Sequence, residues 1–149
     1  MTKLTEHFAL EEFIDSQTAA RHGFNNVPGP LEMANLQRTA DTMEKVRAIL
    51  GHPILVSSGY RSPKVNKAVG GSKSSHHLNG LACDFTCPGF GAPLAVCQEL
   101  GPRMIELRID QLIHEYATWV HLGLCPEGYD PRHMPLTIDR KGTRQGFVM

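Results

Sequence analysis

Apolar side chains recur every three or four residues along one segment in the first third of the chain. They form a stripe made of Leu36, Ala40, Met43, Val46 and Leu50. This spacing predicts an α-helix over residues 30–50, since it places the whole stripe on one helix face, and Gly51 ends it. A shorter amphipathic helix is predicted over residues 8–23, before a turn rich in proline, glycine and asparagine.

Short apolar runs in the middle of the chain predict β-strands. We expect a buried strand at residues 54–56, then a short helix that Ser62 caps and that ends at Ala68. Further strands are predicted at residues 81–86, 109–116 and 118–122. A helix over residues 93–100 separates the first two of these, and residues 125–149 are expected to form a turn-rich extension. This order predicts an α+β fold, with helices flanking a small antiparallel sheet.

Length and charge narrow the classes of function. The chain has 149 residues, of which 15 are Lys or Arg and 15 are Asp or Glu. We expect one domain over residues 1–149, acting as a monomer. A formal net charge of zero argues against a protein that binds nucleic acid by electrostatics. No segment is long and apolar enough to predict insertion into a membrane.

The cysteines and the first residues bear on the compartment. The four cysteines include no Cys-x-x-Cys pair, which excludes a zinc ribbon and a thioredoxin-like motif. The opening MTKLTEHFALEEF lacks the apolar core of a signal peptide. We therefore expect reduced, mostly buried thiols in a protein made in the cytoplasm.

Histidine, the commonest metal ligand, occurs eight times. In the segment SSHHLNGLACDF, His77 and Asp84 flank a turn at Gly80. On a strand Asp84 points away from the core-facing Cys83, and the turn can bring His77 over the same face as Asp84. An imidazole and a carboxylate suit zinc. His76 is the alternative ligand, but the spacing to Gly80 favours His77.

A third ligand is predicted in the segment TWVHL, where Trp119 and His121 share one strand face. A hairpin with the preceding strand would place Glu115 near His121 and turn His114 to the opposite face. Three protein ligands with an open position for water are typical of a catalytic zinc site. A neighbouring carboxylate that is not a ligand is suited to act as the general base.

These segments resemble the zinc D-alanyl-D-alanine carboxypeptidase/hedgehog superfamily, in particular its small phage and bacterial peptidoglycan peptidases. The resemblance covers about residues 4–124. The motif S-x-H-x-x-G-x-A-x-D corresponds to Ser75, His77, Gly80, Ala82 and Asp84. A Ser-Gly-Tyr-Arg-Ser element lies at residues 58–62 and a W-x-H element at 119–121. Trp119 stands where carboxypeptidase members often have histidine, and Thr118 where dipeptidase members have glutamate.

The resemblance implies a hydrolase that cleaves stem or cross-link peptides of peptidoglycan by attack of metal-bound water. The implied ligands of Zn²⁺ are His77, Asp84 and His121. Arg61 matches an arginine that steadies the substrate carbonyl or the developing oxyanion, and Glu115 is the expected general base. Ser75 and Trp119 are expected to contact substrate, Trp119 as a wall of the cleft.

The resemblance to phage enzymes implies action on the cell wall after release from the cytoplasm. No separate wall-binding module is recognised, so the domain itself is expected to recognise its substrate. One alternative is a non-catalytic zinc-binding virion component or peptide-binding protein of the same fold. Another is a peptidase for other small peptides. The sequence leaves the cleaved bond open, and it places no cationic pocket for a terminal carboxylate.

Overall fold

A computed structural model describes residues 2–148 of the chain. Its α-helices are α1 (Leu10–Ile14), α2 (Gln17–His22), α3 (Pro30–Leu50), α4 (Pro63–Ala68) and α5 (Pro93–Leu100). The strands are β1 (Leu55–Ser58), β2 (Ala82–Thr86), β3 (Gln111–Glu115), β4 (Trp119–Gly123), β5 (Met134–Asp139) and β6 (Gly142–Gln145). Two short 3₁₀ helices span His76–Asn79 and Gly101–Arg103.

The six strands form one sheet in the order β1-β2-β4-β3-β5-β6. Neighbouring strands are antiparallel except β3 and β5, which run parallel. The α+β fold is therefore confirmed. In the register, Asp84 lies opposite His121, and His121 lies opposite Ile113 on its other side. Directly paired residues point to the same face, so one row of side chains crosses the middle of the sheet.

The helices predicted from periodicity and capping are confirmed, with one correction near the start. Helices α3, α4 and α5 occupy the predicted segments. The single helix predicted for residues 8–23 is instead two short helices. They separate at Ser16, whose Oγ accepts a hydrogen bond from the backbone N–H of Ala19 and caps α2. A strong cap inside an amphipathic stretch starts a new helix there.

Two predictions about strands are wrong. The first strand is not buried, because β1 lies at an edge of the sheet, where Leu55 is 57% exposed. The extension over residues 125–149 contains β5 and β6, which widen the sheet beyond β3. Pro135 argues against a strand by local propensity. The segment that contains Pro135 nevertheless forms β5, because it pairs with β3, which lies more than 20 positions earlier in the chain.

One face of the sheet carries the hydrophobic core. The strands contribute buried side chains that include Cys83, Phe85, Leu112, Val120 and Leu122. The helices contribute Leu36, Met43 and Val46 from α3 and Val96 and Leu100 from α5. All four cysteines are buried and free. None of the described helices combines the length and apolar character needed to cross a membrane. The opposite face of the central strands is left for polar side chains.

Candidate metal centre

Three side chains on the polar face of the sheet converge on one point. One ligand atom from each lies within 4.8 Å of the others, and all three residues, His77, Asp84 and His121, are buried. Asp84 and His121 come from directly paired positions of β2 and β4. His77 arrives from the 3₁₀ helix that precedes β2. The structure thus brings together the three residues that the sequence predicted as metal ligands.

The local backbone fixes the orientation of His77. The Ser75 hydroxyl caps the 3₁₀ helix by accepting a hydrogen bond from the His77 backbone N–H at 3.2 Å. Gly80 ends the helix with φ of 74°. The ring Nδ1 donates to the Gly59 carbonyl oxygen at 2.6 Å, so Nε2 faces Asp84. A ligand imidazole commonly has its second nitrogen hydrogen-bonded to a carbonyl in this way, which fixes the tautomer.

Asp84 is held in the ionised form. Its Oδ1 lies 2.9 Å from His121 Nδ1 and 3.2 Å from His77 Nε2. Burial on its own raises the pKa of Asp84, but the adjacent His77 and His121 outweigh burial and leave that pKa well below its ordinary value. The ionised carboxylate is the form that binds a metal. Two imidazole nitrogens and one carboxylate oxygen form a donor set that fits zinc.

Arg61 lies beside the cluster on the loop after β1. Its side chain is 18% exposed, and Nη2 lies 3.4 Å from Asp84 Oδ2. Nε donates to the Ser58 hydroxyl at 3.2 Å, and Nη1 donates to Asn66 Oδ1 at 3.4 Å. Its backbone N–H also donates to the His77 carbonyl oxygen. These contacts hold a positive charge at the edge of the cluster.

Glu115 adds a carboxylate next to the cluster. It is the last residue of β3, and its Oε1 lies 3.8 Å from His121 Nδ1. Burial raises the pKa of Glu115 and the negative charge of Asp84 adds to this, whereas His121 and Arg61 lower it; the net pKa lies above its ordinary value. A carboxylate with a raised pKa beside the cluster is suited to accept a proton and to return it.

The cluster opens into a cavity of about 850 Å³. Its lining includes the three clustered residues together with Arg61, Glu115 and Ser75. A cavity of this size accommodates several residues of a peptide. Buried metal-ligating side chains, a held arginine and a carboxylate with raised pKa all face the same space, which is suited to the hydrolysis of a peptide bond.

The model of the family Peptidase M15 matches residues 6–123. The chain belongs to the Peptidase M15 family. No curated protein matches the sequence significantly. Peptidase M15 proteins are in general zinc-dependent, and they lie in a superfamily of peptidoglycan peptidases, as the motifs of the sequence indicated. The chain is therefore a metallopeptidase, and its His-Asp-His cluster is suited to hold the zinc.

The two residues expected to contact substrate occupy different places in this Peptidase M15 chain. Ser75 lines the cavity while its hydroxyl caps the His77 helix. Trp119 is not among the residues that line the cavity, and its contact with substrate stays a prediction. Its ring packs against Tyr116, 5.7 Å between centroids, and Tyr116 lines the cavity instead. Strand alternation correctly predicted that Trp119 shares a face with His121. It could not predict that the Tyr116 ring packs against Trp119.

Several residues that line the cavity were not predicted as site residues from the sequence. His76, weighed as an alternative ligand, lies outside the cluster and hydrogen-bonds through Nε2 to Asp110 at 3.0 Å. Asp110 also binds Arg132, which lies in the segment between β4 and β5. Tyr129, from the same segment, adds an exposed aromatic ring to the lining. No sequence motif marks this segment. It reaches the site because β5, which follows it, pairs with β3.

Proposed function

We propose that the protein is a zinc-dependent peptidase that hydrolyses peptide bonds in the stem or cross-link peptides of peptidoglycan. The observation that carries this proposal is the buried cluster of His77, Asp84 and His121 at a cavity that Glu115 and Arg61 also line. Membership of the Peptidase M15 family supports the same class of reaction. The cavity is large enough for a short peptide.

In this proposal His77, Asp84 and His121 hold the metal, and the surrounding backbone fixes the orientation of these three side chains. Zinc held by His77, Asp84 and His121 would supply a Lewis acid for the hydrolysis. The Gly59 carbonyl oxygen fixes the ring of His77 by accepting a hydrogen bond from Nδ1–H. The pairing of β2 with β4 fixes Asp84 opposite His121. Rigid backbone on both sides keeps the ligand atoms in place without a substrate.

Glu115 serves as general base and then as general acid. Its carboxylate accepts a proton from the water that attacks the scissile carbonyl carbon. It then donates that proton to the amine that leaves when the carbon–nitrogen bond breaks. Partial burial raises the pKa of Glu115, which favours its return of the proton to the leaving amine. Its position 3.8 Å from His121 Nδ1 keeps it beside the cluster rather than within it.

Arg61 stabilises the negative charge that develops on the carbonyl oxygen during attack. Its guanidinium stays charged, and contacts with Ser58, Asn66 and Asp84 hold it in place. A preorganised cation needs little reorientation when the oxyanion forms, and this lowers the barrier.

The test is the variant Glu115→Gln, which keeps the shape of the side chain and removes the base. We expect zinc affinity to stay unchanged and turnover of purified peptidoglycan to fall by about a hundredfold or more. Glu106→Gln is the matched control, because Glu106 is exposed and does not line the cavity. Full turnover in Glu115→Gln contradicts the assignment of the base.

We further propose that the enzyme acts as an endolysin or wall-remodelling enzyme, reaching the cell wall after release from the cytoplasm. Mass spectrometry of peptidoglycan fragments after digestion identifies the bond that is cut. New peptide termini, with the glycan chains intact, are the expected products. If zinc raises the melting temperature while no fragment is released, the protein does not cleave peptidoglycan, and one of the two alternatives applies: a non-catalytic zinc-binding protein or a peptidase for other small peptides.

A further inference from the structure

Asp110 is a buried carboxylate that the proposed mechanism does not use. It precedes β3 and lines the cavity, and its side chain is almost fully buried. Asp110 Oδ2 accepts a hydrogen bond from Arg132 Nη2 at 2.7 Å and lies 3.0 Å from His76 Nε2. Oδ1 accepts from Arg132 Nε at 3.0 Å. One buried carboxylate thus binds the guanidinium through two parallel bonds, the strongest geometry for such a pair.

The backbone around Arg132 is also fastened to Asp110. The backbone N–H of Arg132 donates to Asp110 Oδ1 at 2.7 Å, and that of Met134 donates to the Asp110 carbonyl oxygen at 2.9 Å. His133, between them, adopts φ of 53°. A side chain other than glycine seldom adopts this conformation unless its surroundings hold it there. The strained residue lies next to Arg132, whose own backbone N–H and side chain are both held by Asp110.

Part of the Arg132 guanidinium is left free to bind a ligand. Nε and Nη2 donate to Asp110, whereas Nη1 donates no hydrogen bond to any of the described residues. The side chain is 53% exposed and lines the cavity. Arg61, the other arginine of the lining, is bound to Asp84 beside the metal cluster. Arg132 is therefore the arginine that can bind a group away from the scissile bond.

The distance between Arg132 and the metal cluster suits a short peptide that contacts both. The His76 ring lies 6.2 Å from the His121 ring, and it connects through Asp110 to the guanidinium. Each residue of an extended peptide spans about 3.5 Å. A short peptide in the cavity can thus reach the metal cluster and Arg132 together.

We propose that Arg132, positioned by Asp110, binds a carboxylate of the peptide substrate and makes the enzyme selective for peptides that carry it. This inference rests on the proposed peptidase function. A guanidinium held by an acidic partner has already lost its rotational freedom, so less entropy is lost when a carboxylate binds. The carboxylate is either the terminal one of the peptide or an internal one of a γ-linked glutamate.

The test compares the binding of acids with that of their amides. The probes are diacetyl-L-Lys-D-Ala-D-Ala and its C-terminal amide, and L-Ala-γ-D-Glu-L-Lys amide and its counterpart with isoglutamine. Calorimetry measures binding to the zinc-loaded full chain in the Glu115→Gln background, which prevents turnover. We expect one acid to bind about ten- to a hundredfold more tightly than its amide. The pair that shows this difference identifies the source of the carboxylate.

Substitutions of Arg132 test whether this side chain causes the difference in affinity between each acid and its amide. In Arg132→Gln we expect the acid and its amide to bind equally. In Arg132→Lys we expect only part of the preference to remain, since a lysine cannot pair with Asp110 at two positions and still donate to a ligand. Arg140→Gln is the matched control, because Arg140 is exposed and lies outside the cavity lining. It should keep the full preference.

The proposal is overturned if Arg132 has only a structural role or if the protein shows no preference for the acid. A purely structural Arg132 would lower the unfolding midpoint of Arg132→Gln and leave the acid-to-amide ratio unchanged. The absence of any acid preference, or of any peptide binding, in the parent protein also overturns it. Failure of the proposed function looks different: the acid preference is then present, while the protein with intact Glu115 releases no peptide from peptidoglycan.

Discussion

Gly80 ends the short helix that carries His77, and it does so in close contact with α3. Its φ is 74°. A Cβ at this position would lie 2.7 Å from the Glu32 carbonyl oxygen and 3.1 Å from Leu36 Cγ. The Gly80 carbonyl oxygen accepts a hydrogen bond from Thr39 Oγ1 at 2.8 Å, so the turn cannot move freely away from α3. The variant Gly80→Ala therefore tests how the helix positions the metal ligand.

The cost of Gly80→Ala has two parts. A left-handed conformation costs an alanine about 1–2 kcal/mol. Relief of a contact with backbone in a packed region adds about 1–3 kcal/mol. Gly51→Ala is the matched control: Gly51 ends α3 with φ of 70°, and a Cβ there would meet no atom within 4 Å. We expect a loss of unfolding free energy of about 2–5 kcal/mol for Gly80→Ala and about 1–2 kcal/mol for Gly51→Ala.

Urea unfolding of the zinc-free protein measures both free energies. A zinc titration of each variant follows, because a shift of the Gly80 turn moves His77 relative to Asp84. We expect zinc affinity to fall about ten- to a hundredfold in Gly80→Ala and to stay unchanged in Gly51→Ala. Equal losses of stability in the two variants would refute the steric reasoning. A destabilised Gly80→Ala with normal zinc affinity would show that this turn does not position His77.

Two further substitutions test the buried carboxylates. In Asp84→Asn we expect zinc affinity to fall at least about a hundredfold, since a charged ligand is lost; Asp139→Asn, at a surface ion pair, should leave calorimetric zinc binding unchanged. Burial raises the pKa of Asp110, but Arg132 and His76 outweigh it and lower the pKa to about 2, below the ordinary 3.8. This stabilisation, about 2 kcal/mol, is present above pH 4 and is lost as pH falls towards 2. Asp110→Asn should therefore show a smaller loss of zinc-free stability between pH 5 and 2 than the parent protein, and an equal loss in urea unfolding would contradict the pairing.

Much of the candidate site could be predicted because it depends on residues close in sequence. Strand alternation is enough to place Asp84 away from the core and Glu115 on the face of Ile113, and the register agrees. The turn at Gly80 brings His77 over the same face as Asp84. Helix α3 follows from its apolar stripe alone. In each case the pattern that carries the information lies within one or two elements.

The sequence, read through strand alternation and its family resemblance, therefore predicted the cluster of candidate metal ligands, its neighbouring carboxylate and arginine, and the α+β class of the fold. The tertiary structure alone decided what surrounds them. The parallel pairing of β5 with β3 brings Arg132 to Asp110, and Tyr116 rather than Trp119 lines the cavity. These contacts join segments whose own sequences carry no common pattern. Such long-range contacts form only once the chain has folded, so no local pattern in either segment predicts them.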